Sequence, residues 1–261
     1  MTEQTIRFDD GAAYEQMMGV WSAKAGAEFL DWLRPSPGLR WIDVGCGNGA
    51  FTALLAERVA PTELQGIDPS DGQIAFARAR PGLANAQFRV GDAMALPFPD
   101  AQFDAAVMAL VLVFLPDPAK GVGEMARVVK PGGLVAAYMW DMLGGGFPFN
   151  QMLVAMRAME ISGLKPPAIE SSRLEAMTAL WRGAGLAAIA THEIAVERTF
   201  ADFEDYWTTA MKASTLGPII KGLAPDIGAT FKERVRAGLA AEADGRIICH
   251  ARAHAISGRR F

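Results

Sequence analysis

Nine residues, Trp41-Ile42-Asp43-Val44-Gly45-Cys46-Gly47-Asn48-Gly49, set a short apolar run directly against glycine at every second position. Such a run reads as a buried strand, and the glycines let the chain turn through positive φ with no Cβ at the bend. Phe51, Leu54, Leu55 and Val59 follow at the spacing of one apolar helix face, closed by Pro61, with Asn48 as the expected N-cap. A strand running through Gly-x-Gly-x-Gly into a helix describes a site where backbone meets a nucleotide-type ligand. Alone it fits a tight βα turn equally well.

The flanking sequence repeats this strand-helix pattern. Strands are expected at 39–44, 63–68, 86–91, 103–110 and 134–140. Asp117 and Pro118 start one of the intervening helices, Ser70 and Gln73 start another at capping-box spacing, and Lys130-Pro131-Gly132-Gly133 stops the former. The nearly continuous apolar run from Phe103 to Leu110 suits a strand covered on both faces, so the fold class is α/β with a doubly wound, mostly parallel sheet. Helices precede this core at 12–33. After it come helices near 147–160 and 174–181, a strand near 186–197, a mainly helical stretch over 200–243, and a last strand at 246–256 returning to the sheet edge. The helix after Asp202 is expected to start from a Thr199/Asp202 capping pair, with breaks at Gly217-Pro218 and Pro225.

Composition removes several function classes. A net charge of −4 gives no basic footprint for nucleic acid or anionic membrane, and the 105–115 apolar run is too short for a membrane span. Cys46 and Cys249 match neither a zinc spacing nor a disulfide framework, and the polar start of the chain has no signal-peptide pattern, so no metal and a cytoplasmic location are expected.

In an open α/β sheet, ligands bind beyond the carboxyl ends of the strands. Gly45 to Gly49, Asp68, Asp92 and Ala109 are expected there. Asp68, nineteen positions after Gly49, can accept both hydroxyls of an adenosine ribose, while Asp92 and the Ala93 amide can read an adenine edge. For a dinucleotide the third glycine comes one residue early, and no second mononucleotide half follows. S-adenosylmethionine carries an amino acid in place of phosphate. Its carboxylate can use loop amides, and its ammonium strand-end carbonyls such as those of Gly45 and Ala109.

Val44-Gly45-Cys46-Gly47-Asn48-Gly49, Gly66-Ile67-Asp68-Pro69-Ser70, Gly91-Asp92-Ala93, Leu96-Pro97-Phe98 with Phe103-Asp104, and Val129-Lys130-Pro131-Gly132-Gly133 occur in this order over residues 39 to 140. Together they resemble the class I S-adenosylmethionine-dependent methyltransferases, nearest to the quinone- and sterol-type small-molecule group (type 11). The resemblance implies a seven-stranded Rossmann-like methyltransferase fold: an N-terminal helical segment over 1–38, a cofactor-binding core over 39–199 and 245–261, and a helical lid over 200–244. It implies S-adenosyl-L-methionine as cofactor, with Gly45, Cys46 and Gly47 at its methionine part, Asp68 at ribose, Pro69 or Ser70 beside adenine, Gly91, Asp92 and Ala93 at the adenine edge, and Ala109 with Leu110 at the fourth strand end. Many relatives carry a polar side chain near Ala109, so side-chain help is missing there.

The expected partner is a small, hydrophobic or planar methyl acceptor, held by Tyr14, Trp21, Trp140, Tyr206 and Trp207, with Asp141, Phe147, Met211 and Lys212 nearby. Ordinary core or lid packing is the competing reading for each. No general base declares itself: His192, His250 and His254 fall in or beside strands away from the loops, and Cys46 suits packing. Two other functions share the pattern, an NAD-dependent oxidoreductase and a non-catalytic cofactor-binding regulatory protein.

Overall fold

The computed structural model describes residues 11–163, 165–213 and 216–261, with side chains from Glu15 onward except Gln16. In chain order the elements are α1 (Gly11–Leu33), β1 (Arg40–Val44), α2 (Ala50–Val59), β2 (Glu63–Asp68), α3 (Asp71–Ala79), β3 (Ala86–Val90), β4 (Phe103–Ala109), α4 (Pro118–Val128), β5 (Val129–Trp140), α5 (Asn150–Ala158), α6 (Leu174–Gly183), β6 (Leu186–Phe200), α7 (Phe203–Ala210), α8 (Leu216–Lys221), α9 (Pro225–Ala237) and β7 (Ile247–Arg260). One seven-stranded sheet orders them β3-β2-β1-β4-β5-β7-β6. Pairing is parallel from β3 through β5, and β7 is antiparallel to both its neighbours.

The last strand therefore enters the sheet between β5 and β6 and leaves β6 at the edge, where the sequence reading had placed β7. Its side chains explain why. The positions sharing a face, Cys249, Ala251, Ala253 and Ala255, are small and buried, as an interior strand beneath a helix requires. In register, Tyr138, Ala255 and His192 lie side by side on that face, and Phe29 (4.8 Å) and Trp32 (5.5 Å) of α1 pack over Tyr138 and His192. Asp43 and Val107 continue the same face toward β1, where Phe51 of α2 reaches Tyr138 at 5.7 Å. Trp181 of α6 covers the opposite face, its Nε1 donating to the Val135 carbonyl at 3.1 Å.

Local signals worked where one side chain decides. Asp117 caps α4 by accepting from the Lys120 amide at 3.0 Å, and Ser70 caps α3 through the Gln73 amide at 3.3 Å. Thr199 lies in β6, so Asp202 alone caps α7 by accepting from the Asp205 amide at 2.9 Å. Gly217-Pro218 falls in the first turn of α8, where proline lacks only a donor with no intrahelical partner, and it breaks nothing. Lys130 to Gly133 bulge out between the pairs Phe103↔Val129 and Ala105↔Leu134, so β5 begins straight after α4.

One feature shapes the space above the strand ends. The β6–β7 ladder continues from Ala253, the partner of Trp140, up to Phe200↔Ile247. Six residues at about 3.3 Å each carry this ribbon ~20 Å past the end of β5. Helices α7, α8 and α9 connect its two strands.

Candidate cofactor site

The switch in strand order falls between β1 and β4, whose neighbours run outward in opposite directions. There Gly45, Gly47 and Gly49 all adopt left-handed backbone, with φ of 76°, 52° and 79°. The three serve different ends. A Cβ on Gly45 would lie 2.5 Å from a methyl of Val111, and one on Gly49 would press on Ala77 and Leu83 at 3.1 Å. A Cβ on Gly47 would meet nothing within 4 Å. Gly45 and Gly49 are thus required by packing, and the cradle opens at Gly47.

The loop amides are committed within the protein. Gly45 and Cys46 both donate to the Ile67 carbonyl, at 2.7 and 3.0 Å, and Gly47 donates to Asp68 Oδ2 at 3.0 Å. These three amides are thus already paired within the protein. Asp68 also accepts from the Ser70 amide at 2.9 Å through Oδ1. A carboxylate can accept from several donors at once, and this one stands beside the opening at Gly47. Asn48 is not the N-cap; Gly49 holds that position without a side-chain cap. Asn48 accepts from the Ala50 amide at 3.2 Å and donates to Glu15 at 2.8 Å, and Arg80 joins the Asn48 carbonyl (3.0 Å) to the same Glu15 oxygen (2.7 Å). This lock ties α1, the glycine loop and the end of α3 together.

Gly91 donates to the Asp68 carbonyl at 3.0 Å, bringing the ends of β2 and β3 together. Asp92 is exposed, with Oδ1 accepting from the Met94 amide at 2.8 Å, and Ala93 is buried beside it. Pro69 is exposed and Ser70 half-buried. At the end of β4, Leu110 takes a left-handed φ of 63° and donates to the Tyr138 carbonyl at 2.8 Å. That conformation costs a non-glycine residue about 1–2 kcal/mol, and it turns the chain so that Val111 packs on Gly45. Cys46 is buried, with its thiol pushed up by burial first and then by the charges of Asp43 and Asp68, in keeping with packing.

Asp43 is a carboxylate that no strand-end or capping position singles out. It is fully buried in β1 and accepts from the Thr52 hydroxyl at 2.6 Å, while Oδ1 has no partner among the described residues. Burial raises its pKa to about 7; the Thr52 bond opposes the rise and Asp68 adds to it.

Of the acceptor candidates, the Tyr14 side chain lies outside the described residues. Trp21, Trp140 and Tyr206 are buried, and their Nε1, Nε1 and hydroxyl groups lack hydrogen-bond partners among the described residues. Trp207 turns toward α9, 6.0 Å from Phe231 and 5.4 Å from the Lys232 ammonium. Asp141 is held by Arg252, at 2.5 Å, and by the Gly144 amide at 2.7 Å; burial works against ionisation, yet these bonds keep its carboxyl below the usual range. His192 stacks on Trp32, and His254 contacts the Ser172 carbonyl at 2.8 Å, both away from the glycine loop. Sequence reasoning missed Glu15, Arg80 and Val111, which approach the loop only through tertiary packing.

Residues 42–137 match a family profile described as a methyltransferase domain. A demethylmenaquinone methyltransferase of Bacillus licheniformis is 31% identical over 198 residues, covering 69% of this chain and 85% of that protein. That of Desulfitobacterium hafniense is 37% identical over 45% of this chain, and the match spans 47% of the relative, about half its length. Among solved structures, phosphoethanolamine N-methyltransferase 2 of Haemonchus contortus, in complex with phosphomonomethylethanolamine and S-adenosylhomocysteine, superposes with a TM-score of 0.60 at 18% identity, over 96% of this chain and 56% of that one. The chain belongs to the class I S-adenosylmethionine-dependent methyltransferases, of the type 11 methyltransferase-domain group. S-adenosylmethionine is the cofactor of that family, and the open side of Gly47 next to Asp68 fits it. No helix among the described residues is long and apolar enough to cross a membrane.

Proposed function

We propose that the protein transfers the methyl group of S-adenosylmethionine to a small hydrophobic or planar acceptor. The observation that carries this reading is the pairing of an open Gly47 with an Asp68 carboxylate fixed across two adjacent strand ends. When bound, the cofactor supplies an already activated methyl group on sulfur. The chain's own work is positioning and exclusion of water, which can be worth up to about 7–11 kcal/mol when reacting groups are well aligned.

Asp68 anchors the ribose, Asp92 and Ala93 line the adenine edge, and Gly45 to Gly47 flank the methionine end beside Ala109 and Leu110. Helices α7 to α9 act as a lid, with Trp21, Trp140 and Tyr206 facing the acceptor. The name of the demethylmenaquinone methyltransferase relatives supports a planar, quinone-like acceptor. The test is transfer of labelled methyl from the cofactor into a metabolite extract, with mass analysis of the product. Labelling of a planar hydrophobic compound is the expected result. No transfer to any component, with cofactor binding intact, refutes catalysis; NAD binding without S-adenosylmethionine binding refutes the cofactor assignment.

A further inference from the structure

The wall that β6 and β7 raise above Trp140 carries one charge where its pattern calls for apolar side chains. Inward positions along it pair Val196 with Ala251, Arg198 with Cys249 and Phe200 with Ile247. Val196, Phe200, Cys249, Ala251 and Ile247 are buried and Arg198 is half-buried among them. A cation taken partly out of water needs compensation from a partner. Arg198 stacks 4.5 Å from the Phe200 ring centre, and its Nη1 donates to the Met17 carbonyl of α1 at 3.2 Å. An arginine has five donors, so that bond leaves most of the guanidinium available. Among the described residues no carboxylate ion-pairs with it; burial holds its pKa below the ordinary value, and Asp205 acts on it only from beyond ion-pair distance.

Tyr206 reaches the same ring from α7. Its ring lies 5.3 Å from Phe200, and its buried hydroxyl has no hydrogen-bond partner among the described residues. Burial, and then Cys249, push its phenol well up, so it stays protonated and able to donate. Trp21, one helical turn beyond Met17, and Trp140 likewise hold buried N–H groups without partners. The nearby Glu197 and His250 point to the outer face of the ribbon and are exposed, 3.9 Å from each other. Among the described residues the inward wall therefore presents hydrogen-bond donors and a positive charge, and Asp205 acts on that charge from beyond ion-pair distance.

We infer that Arg198 and Tyr206 form the specificity pair for the methyl acceptor, binding an ionised oxygen on a planar ring, so that the acceptor is an enol or phenol held as its oxyanion. This rests on the methyl-transfer reading above and deepens it. A cation beside an acidic hydroxyl favours its ionised form, which accounts for a wall that offers no general base. It also separates Arg198 from a purely structural role, because anchoring α1 through Met17 requires one donor and no selectivity between ligands.

The test uses the full chain loaded with S-adenosylhomocysteine and two probes. 4-Hydroxycoumarin is an enolate at neutral pH, and coumarin is the same bicycle without the ionised oxygen. The enolate is expected to bind at least about tenfold tighter, the scale of a hydrogen bond to a charged group. Arg198→Met should abolish that preference while leaving coumarin and S-adenosylhomocysteine affinities unchanged. Arg198→Lys should restore part of it, and Tyr206→Phe should reduce it. Equal binding of the two probes to the unaltered protein, binding of neither, or a preference that survives Arg198→Met overturns the inference. Failure of S-adenosylhomocysteine itself to bind counts instead against the methyl-transfer reading.

Discussion

Replacing Asp43 with asparagine offers a sharp test of how the sheet centre is charged. The side chain is fully buried, and its carboxyl titrates at about 7 in the fold against an ordinary 3.8. Because the folded value is raised, the native state keeps a proton that the unfolded chain has already released. The resulting contribution to stability is complete below pH 3.8, falls as pH rises from there to about 7, and is absent above. A separation of about three pH units at about 1.4 kcal/mol each makes the whole loss about 4 kcal/mol. Roughly two of those units lie above pH 5, so raising the pH from 5 to 8 removes about 3 kcal/mol. Asparagine keeps the shape and an oxygen acceptor for the Thr52 hydroxyl but does not titrate. Urea unfolding at the two pH values should therefore show the natural protein losing about 3 kcal/mol more than Asp43→Asn over this interval. Parallel pH profiles for the two proteins would refute the buried, proton-holding carboxyl.

Other consequences concern the cradle. Asp68→Ala should weaken S-adenosylhomocysteine binding by about 1.5–3 kcal/mol, the worth of hydrogen bonds to a charged group, in a calorimetric titration; unchanged affinity with an intact fold removes Asp68 from the site. Gly45→Ala sets a Cβ 2.5 Å from Val111 in a left-handed conformation and should lower stability by about 2–5 kcal/mol in urea unfolding. Gly47→Ala meets no neighbour, so the fold should lose only about 1–2 kcal/mol, with the larger effect on cofactor affinity; the reverse pattern would show that the opening at Gly47 faces no ligand. Glu15→Gln weakens the lock on Asn48 and Arg80 and should speed S-adenosylhomocysteine release in stopped-flow while changing the melting temperature little.

How much of this was legible in the sequence depends on the range of the forces involved. Strand and helix identities between 39 and 140 followed from periodicity and from single capping residues such as Ser70 and Asp117, whose partners lie within three positions. The placement of β7 was not legible, because alternation in 246–256 is the same for an edge and an interior strand. Only the small side chains Ala251, Ala253 and Ala255 carried that signal, and they needed the bulk of α1 above them to be interpreted. Asp68 stood out as a strand-end carboxylate, whereas Glu15 joins Asn48 across 33 positions and Arg80 across 65. Arg198 was readable in principle: it occupies the inward parity of a strand otherwise filled by Ile194, Val196 and Phe200. The orphaned hydroxyl of Tyr206 became visible only once its neighbours were known.

The position of β7 also sets an order of events for the nascent chain. Among the described residues β6 pairs with no strand but β7, and β7 is synthesised only after α7, α8 and α9. Until it arrives, β5 has an open edge and β6 has no ladder, so a chain complete through β6 still exposes unpaired backbone. Such edges template aggregation, and pairing across a long intervening segment is slow. The parallel half of the sheet, with its glycine loop, can assemble first, whereas the wall bearing Arg198 closes only when β7 slides between its neighbours. The glycine-loop cradle is in this sense an early acquisition of the folding chain, and the β6–β7 wall a late one.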